Sequence, residues 1–139
     1  MRSYPAHWMP LAITIERMYG PDRLLTIAIG IHESGYGTSD LYLKGLNPFG
    51  IHHNGHPVQF MSDAHAFEAL GERWRSWSQY APAVAIHKRE GMSPAFFREW
   101  AAVYCPNTPK HPTQADEWAR SVERLVNQLS ASEAVKLRG

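Results

Sequence analysis

Apolar residues recur at helical spacing along most of this chain, and the pattern lapses over one stretch rich in Gly, Ser, Asn and Pro. Trp8, Met9, Leu11, Ala12, Ile15 and Met18 share a face, which predicts an amphipathic first helix ended by Gly20. Pro21, at the first helical position, and Asp22, beside the positive end of the dipole, then open a second helix. Its buried stripe is Leu24, Ile27, Ala28 and Ile31, and it carries Glu33 at its far end. Residues 35–55 have few periodic apolar positions and read as loop and turn. Asn54-Gly55 is the strongest turn signal there. With Phe49 and Ile51 before it and Val58 and Phe60 after it, the alternation predicts a short hairpin.

Beyond the hairpin the period returns to helical, over 63–70, 74–89, 94–103 and 113–129. The last segment places Trp118, Val122, Leu125, Val126 and Leu129 on one face, and Pro106, Pro109 and Pro112 confine the loop before it. No repeat, low-complexity run or linker divides the chain, so residues 1–139 read as one domain. The expected class is α+β, mainly α-helical, with helices around a small β element.

Composition supports a compact fold and excludes some partners. The 139 residues are 44% hydrophobic and 19% charged, which is globular rather than disordered. Net charge is +1 and the pI is near 8.0, without the concentrated basic stripe that nucleic acid requires. Five Trp and six Tyr are many for this size; core packing is the first explanation and stacking on sugar rings the second. Cys105 is the lone cysteine and can form no internal disulfide. The apolar run that begins at Trp8 is weak, Glu16 and Arg17 interrupt it, and no small-residue cleavage site follows. Neither a signal peptide nor a membrane span is expected.

Chemistry concentrates where the second helix meets the glycine-rich stretch. Residues 29–39, Ile-Gly-Ile-His-Glu-Ser-Gly-Tyr-Gly-Thr-Ser, put an acid at the end of an apolar helix just where the backbone must turn. Half-burial of such a carboxyl disfavours its charged form and suits it to donate a proton to a glycosidic oxygen. The rival reading is a surface glutamate before a glycine cap. Ser34, Thr38 and Ser39 make no nucleophile case, because no Gly-x-Ser-x-Gly elbow surrounds them. His52, His53 and His56, with His32 and His65 nearby, lack the spacing of a zinc site, and neither metal nor cofactor is expected. They read as polar turn residues, some able to reach sugar hydroxyls.

The pairing of Glu33-Ser-Gly-Tyr-Gly-Thr-Ser39 with Asn47-Pro-Phe-Gly-Ile51 resembles the glucosaminidase family of flagellar and autolysin-type peptidoglycan hydrolases, of the glycoside hydrolase family 73 kind within the lysozyme superfamily. That family's pattern runs Glu-Ser-Gly-Trp-Gly-x-Ser and then Asn-Leu-Phe-Gly-Ile. Weaker similarity extends to Trp74-Arg-Ser-Trp77, which looks like a Phe-Arg-x-Tyr segment following the β element, and to Tyr104 and Trp118 in the C-terminal region. The resemblance implies a lysozyme-like fold, a helical lobe and a small β-hairpin lobe flanking a cleft. It implies Glu33 as general acid, with Tyr36, Ser39, Asn47, Phe49, Gly50, Trp74, Tyr104 and Trp118 as substrate-binding positions. Trp118 stands where the family usually has tyrosine, which could keep an aromatic face but not a phenol hydroxyl.

Glycosidases commonly pair two acids. Here the second-acid candidates are Glu68, by its separation from Glu33, and Asp63, with Glu72 also in range. If the substrate's own acetamido group attacks the anomeric carbon, a single acid suffices. The expected function is an endo-β-N-acetylglucosaminidase acting on peptidoglycan glycan strands, as a monomer, with no nucleic-acid or membrane partner. Lacking an export signal, it would be made in the cytoplasm and reach the wall as a holin-released endolysin or aboard a virion. The alternatives are an N-acetylmuramidase or lytic transglycosylase on the same fold, and a non-catalytic wall-binding or phage structural module.

Overall fold

The computed structural model describes residues 2–138, with side chains through Lys136. The chain is mainly helical with one two-stranded antiparallel sheet, and it forms two compact units, Met1–Arg73 and Trp74–Gly139.

In the first unit, α1 (Trp8–Tyr19) packs on α2 (Arg23–Ser34). Gly20, at φ 110, stops α1 in the left-handed conformation that glycine adopts without strain. Met18 lies outside the buried stripe, at 58% exposure. The expected helical position of Pro21 is corrected: Asp22 is the N-cap, its carboxylate accepting from the Leu24 and Leu25 N–H groups, so α2 begins at Arg23. The expected loop over 35–55 contains a short helix, α3 (Asp40–Gly45), capped by Ser39 and ended by Leu46 at φ 50. Only Tyr42 and Gly45 in α3 are buried, too few for a periodic signal.

The hairpin forms at the expected turn. β1 (His52–His53) pairs with β2 (His56–Pro57), Asn54 and Gly55 having φ 51 and 78, the two positive values a type I′ turn requires. Trp8, Phe49 and Phe67 are the aromatic centre of this unit, with Phe49 edge-on to Phe67 at 4.8 Å between ring centres.

α4 (Asp63–Ser76) runs straight through the expected break at Gly71. That glycine is a close-approach site: a β-carbon on it would lie 2.5 Å from Cδ2 of the Tyr19 ring. The helix stops instead at Trp77, where a single 3-10 turn, Ser78–Tyr80, leads into α5 (Ala81–Glu90).

In the second unit α6 (Pro94–Tyr104) packs against α5 and α7 (Gln114–Arg138). Its core is a run of rings. Trp100 lies 5.2 Å from Trp74, 4.2 Å from Tyr80 and 6.0 Å from Tyr104, and Tyr104 lies 5.2 Å from Trp118. α7 continues well past the expected end at 129. Its extension lacks an apolar stripe but contains good helix formers and a Lys136–Glu133 pair one turn apart at 3.3 Å.

Candidate active site

The acid and the turn after it are locked in place by Ser34. Its side chain is fully buried, and its hydroxyl donates to the Gly30 carbonyl at 2.5 Å while accepting the Gly37 N–H at 2.9 Å. The Ser34 carbonyl accepts from the Thr38 and Ser39 N–H groups at 3.0 and 2.9 Å. Gly35, at φ 58, caps the helix, and Gly37, at φ 83, lies so close to Pro5 that a β-carbon would stand 2.9 Å from the proline ring. On the inner face of α2, Gly30 admits the rings of Trp8 and Phe49. Glu33 is therefore carried, half-buried, by a helix end with little freedom to shift.

The second segment is closed by Asn47, itself 1% exposed. Its Nδ2 donates to the Ile51 and Val58 carbonyls, both at 2.8 Å, and its Oδ1 accepts from the Ile51 N–H at 3.1 Å. One side chain thus closes the loop on itself and ties it to the returning strand of the hairpin. Phe49 is 0% exposed, inserted beneath the loop.

Gly50 is where the two segments meet. It adopts φ 64, and a β-carbon on it would stand 2.8 Å from Glu33 Oε2 and 3.4 Å from Glu33 Cδ. The carboxylate of Glu33 lies directly against the Gly50 backbone, at a distance no side chain could share. Glycine is required there twice over, by the left-handed backbone and by the acid. The carbonyl of the same residue takes a hydrogen bond from His52 Nδ1 at 2.7 Å.

The sequence model of a family named Glucosaminidase, described as mannosyl-glycoprotein endo-beta-N-acetylglucosaminidase, matches residues 9–131. The chain belongs to the glucosaminidase family. No curated protein and no solved structure matched it. Family membership makes a glycan the substrate class and glycoside hydrolysis the chemistry for this glucosaminidase domain. No helix among the described residues is long and apolar enough to cross a membrane.

Several residues expected to bind substrate have scaffold roles in this glucosaminidase domain. Asn47 has its amide fully engaged, and Phe49 is sealed in the core. Ser39 is the α3 cap, accepting from the Tyr42 N–H at 3.3 Å. Trp74 and Trp118 are 5% and 3% exposed and offer no free face to a sugar; Tyr104, between Trp100 and Trp118, is partly buried. The Trp74-Arg-Ser-Trp77 segment follows the β element at the far end of α4. Four of five tryptophans are buried, so the aromatic excess is mainly core; Trp77, at 40%, is the exception. Tyr36 remains half-exposed at φ 63, with the Arg2 guanidinium 4.7 Å from its ring centre.

The second-acid candidates are also engaged. Glu68, exposed on α4, accepts from the Tyr19 hydroxyl at 3.1 Å. The Asp63 carboxylate accepts from the Tyr42 hydroxyl at 2.6 Å and meets His7 Nε2, while its other oxygen is buried without a partner. Tyr42 in turn accepts from Trp8 Nε1 at 3.2 Å. Burial, then the hydrogen bond to Asp63, pushes the Tyr42 phenol up to about 12. This network joins α1, α3 and α4, and no periodic pattern in the sequence announces it. No group of three His, Cys, Asp or Glu among the described residues could hold a metal ion.

Proposed function

We propose that this chain is an endo-β-N-acetylglucosaminidase that hydrolyses β-1,4 bonds of the peptidoglycan glycan strand, with Glu33 as general acid. The observation that carries this reading is the Glu33 carboxylate resting on Gly50, where the two motif segments converge. An acid held at the junction of the two segments has its position set by both of them. In the reaction the Glu33 carboxylic acid protonates the leaving glycosidic oxygen as the anomeric C–O bond breaks.

The family match spans 9–131, across both units, which supports one catalytic domain over 1–139, with a lysozyme-like fold and a cleft for the glycan. Tyr36, half-exposed just past Glu33, is the sugar contact this reading retains. The setting it fits is an endolysin or related lysis enzyme, acting on the wall as a monomer.

Digestion of purified sacculi, followed by mass spectrometry of the fragments, tests the bond assignment. Reducing N-acetylglucosamine ends are expected. Reducing muramic acid ends or anhydromuramyl ends would contradict it.

A further inference from the structure

The β element carries no acid at all. From Leu41 to Ser62 there is neither Asp nor Glu, while imidazoles stand at 52, 53 and 56. Asp63 is drawn into the buried Tyr42 and His7 contacts, and Glu68 receives the Tyr19 hydroxyl. A glycosidase that uses water directly needs a base opposite its acid, with about 6.5–9.5 Å between the two groups when both are carboxyls. His52 is the side chain that the fold ties to the same glycine as Glu33.

The hydrogen bond to Gly50 also settles which nitrogen is basic. A carbonyl oxygen only accepts, so Nδ1 carries the hydrogen and the neutral ring keeps its lone pair on Nε2. This is the arrangement in which a histidine oriented through one nitrogen acts as base through the other. Its reach is bounded. From Glu33 Oε2 to the β-carbon position of Gly50, through the Gly50 α-carbon and carbonyl and across the 2.7 Å hydrogen bond, the fully stretched path to Nδ1 is about 10 Å with ordinary bond lengths, an upper limit. Nε2 is at most about 2 Å further, across the ring. Any bend in the path brings the two closer. The imidazole is exposed, whereas the Glu33 side of Gly50 is half-buried, so solvent reaches the base.

We infer that His52 is the general base of this site, accepting through Nε2 a proton from the water that attacks the anomeric carbon. The inference rests on the glycosidase reading above. In the step, Glu33 gives its proton to the glycosidic oxygen, the C–O bond to the leaving sugar breaks, and water oxygen bonds to the anomeric carbon. The water's proton passes to His52, leaving a carboxylate and an imidazolium. Return of that proton to Glu33 through solvent restores both, so the sum is one water consumed per bond cut. Water attacks the face opposite the leaving group, and the product is the inverted, α anomer.

The test follows the first product anomer by NMR, together with reducing-end release by wild type, His52→Ala and His52→Gln, with and without added imidazole. Thermal melts confirm that the variants fold. The α anomer is expected first, with a fall in kcat of about 10²-fold or more in both variants at similar KM. Free imidazole should restore part of the His52→Ala rate, which a purely structural role would not allow. A β anomer as first product, undiminished rates in the variants, or a loss that imidazole leaves untouched would overturn the assignment while the glycosidase reading stands. Absence of any reducing ends from wild type would overturn both.

Discussion

At the scale of single residues, Gly50 is the position where backbone conformation and chemistry coincide. Gly50→Ala must place a methyl 2.8 Å from Glu33 Oε2 and hold alanine at φ 64. A destabilisation of about 1–3 kcal/mol is expected from the backbone strain. Displacement of the carboxylate should lower glycan hydrolysis further than the lost stability explains. Thermal unfolding and turnover, measured on the same preparation, separate the two effects. Much of this site was legible: Glu33 and Gly50 both lie in motifs that stand out as Glu-Ser-Gly and Asn-Pro-Phe-Gly. What the motifs did not convey is that most of their members work on each other. Ser34 and Asn47 spend their polar atoms closing turns, and Phe49 anchors the loop from below. A motif records which residues a site needs without distinguishing those that touch substrate from those that hold the others.

At the scale of elements, the helices with a buried stripe were readable from spacing, and the errors have physical causes. Gly71 looks like a helix breaker because glycine weakens helices, yet here it makes room for the Tyr19 ring. Gly71→Ala is therefore expected to destabilise the chain by about 1–3 kcal/mol through overpacking, although alanine is the better helix former. A melt showing stabilisation would contradict the close approach. α3 gives no signal in the spacing because six residues with two buried positions carry no period.

The Trp8–Tyr42–Asp63 chain of hydrogen bonds, which links three helices, pairs residues far apart in sequence. Its pH dependence has a definite sign. The folded-state value of Tyr42 is raised to about 12 from an ordinary 10.0, so its contribution is fully present below pH 10. It is lost as pH rises toward 12, because the folded state must then give up a proton it holds more tightly. Tyr42→Phe should remove this alkaline component. It should also cost about 1–3 kcal/mol at neutral pH by leaving the buried Trp8 N–H without its acceptor, while the Asp63 oxygen keeps only His7. Denaturant titrations between pH 8 and pH 12 read both effects, the range being set about the values above.

At the scale of the whole molecule, the chain is a mainly helical glucosaminidase-family domain in two units, with its candidate acid in the first and a stack of aromatic rings in the second. Class and family were readable from composition and two short motifs. The division into two units was not, because no linker or change of composition marks residue 73. The aromatic excess, open to two explanations in composition, belongs mainly to packing once burial is known.

The central claim is that Glu33 supplies the proton that breaks the glycosidic bond. Purified sacculi incubated with wild type and with Glu33→Gln, at matched concentration and with matched melting temperatures, test it most directly by release of reducing ends. A fall of about 10²-fold or more in the variant is predicted. Equal release by the two proteins would contradict the account.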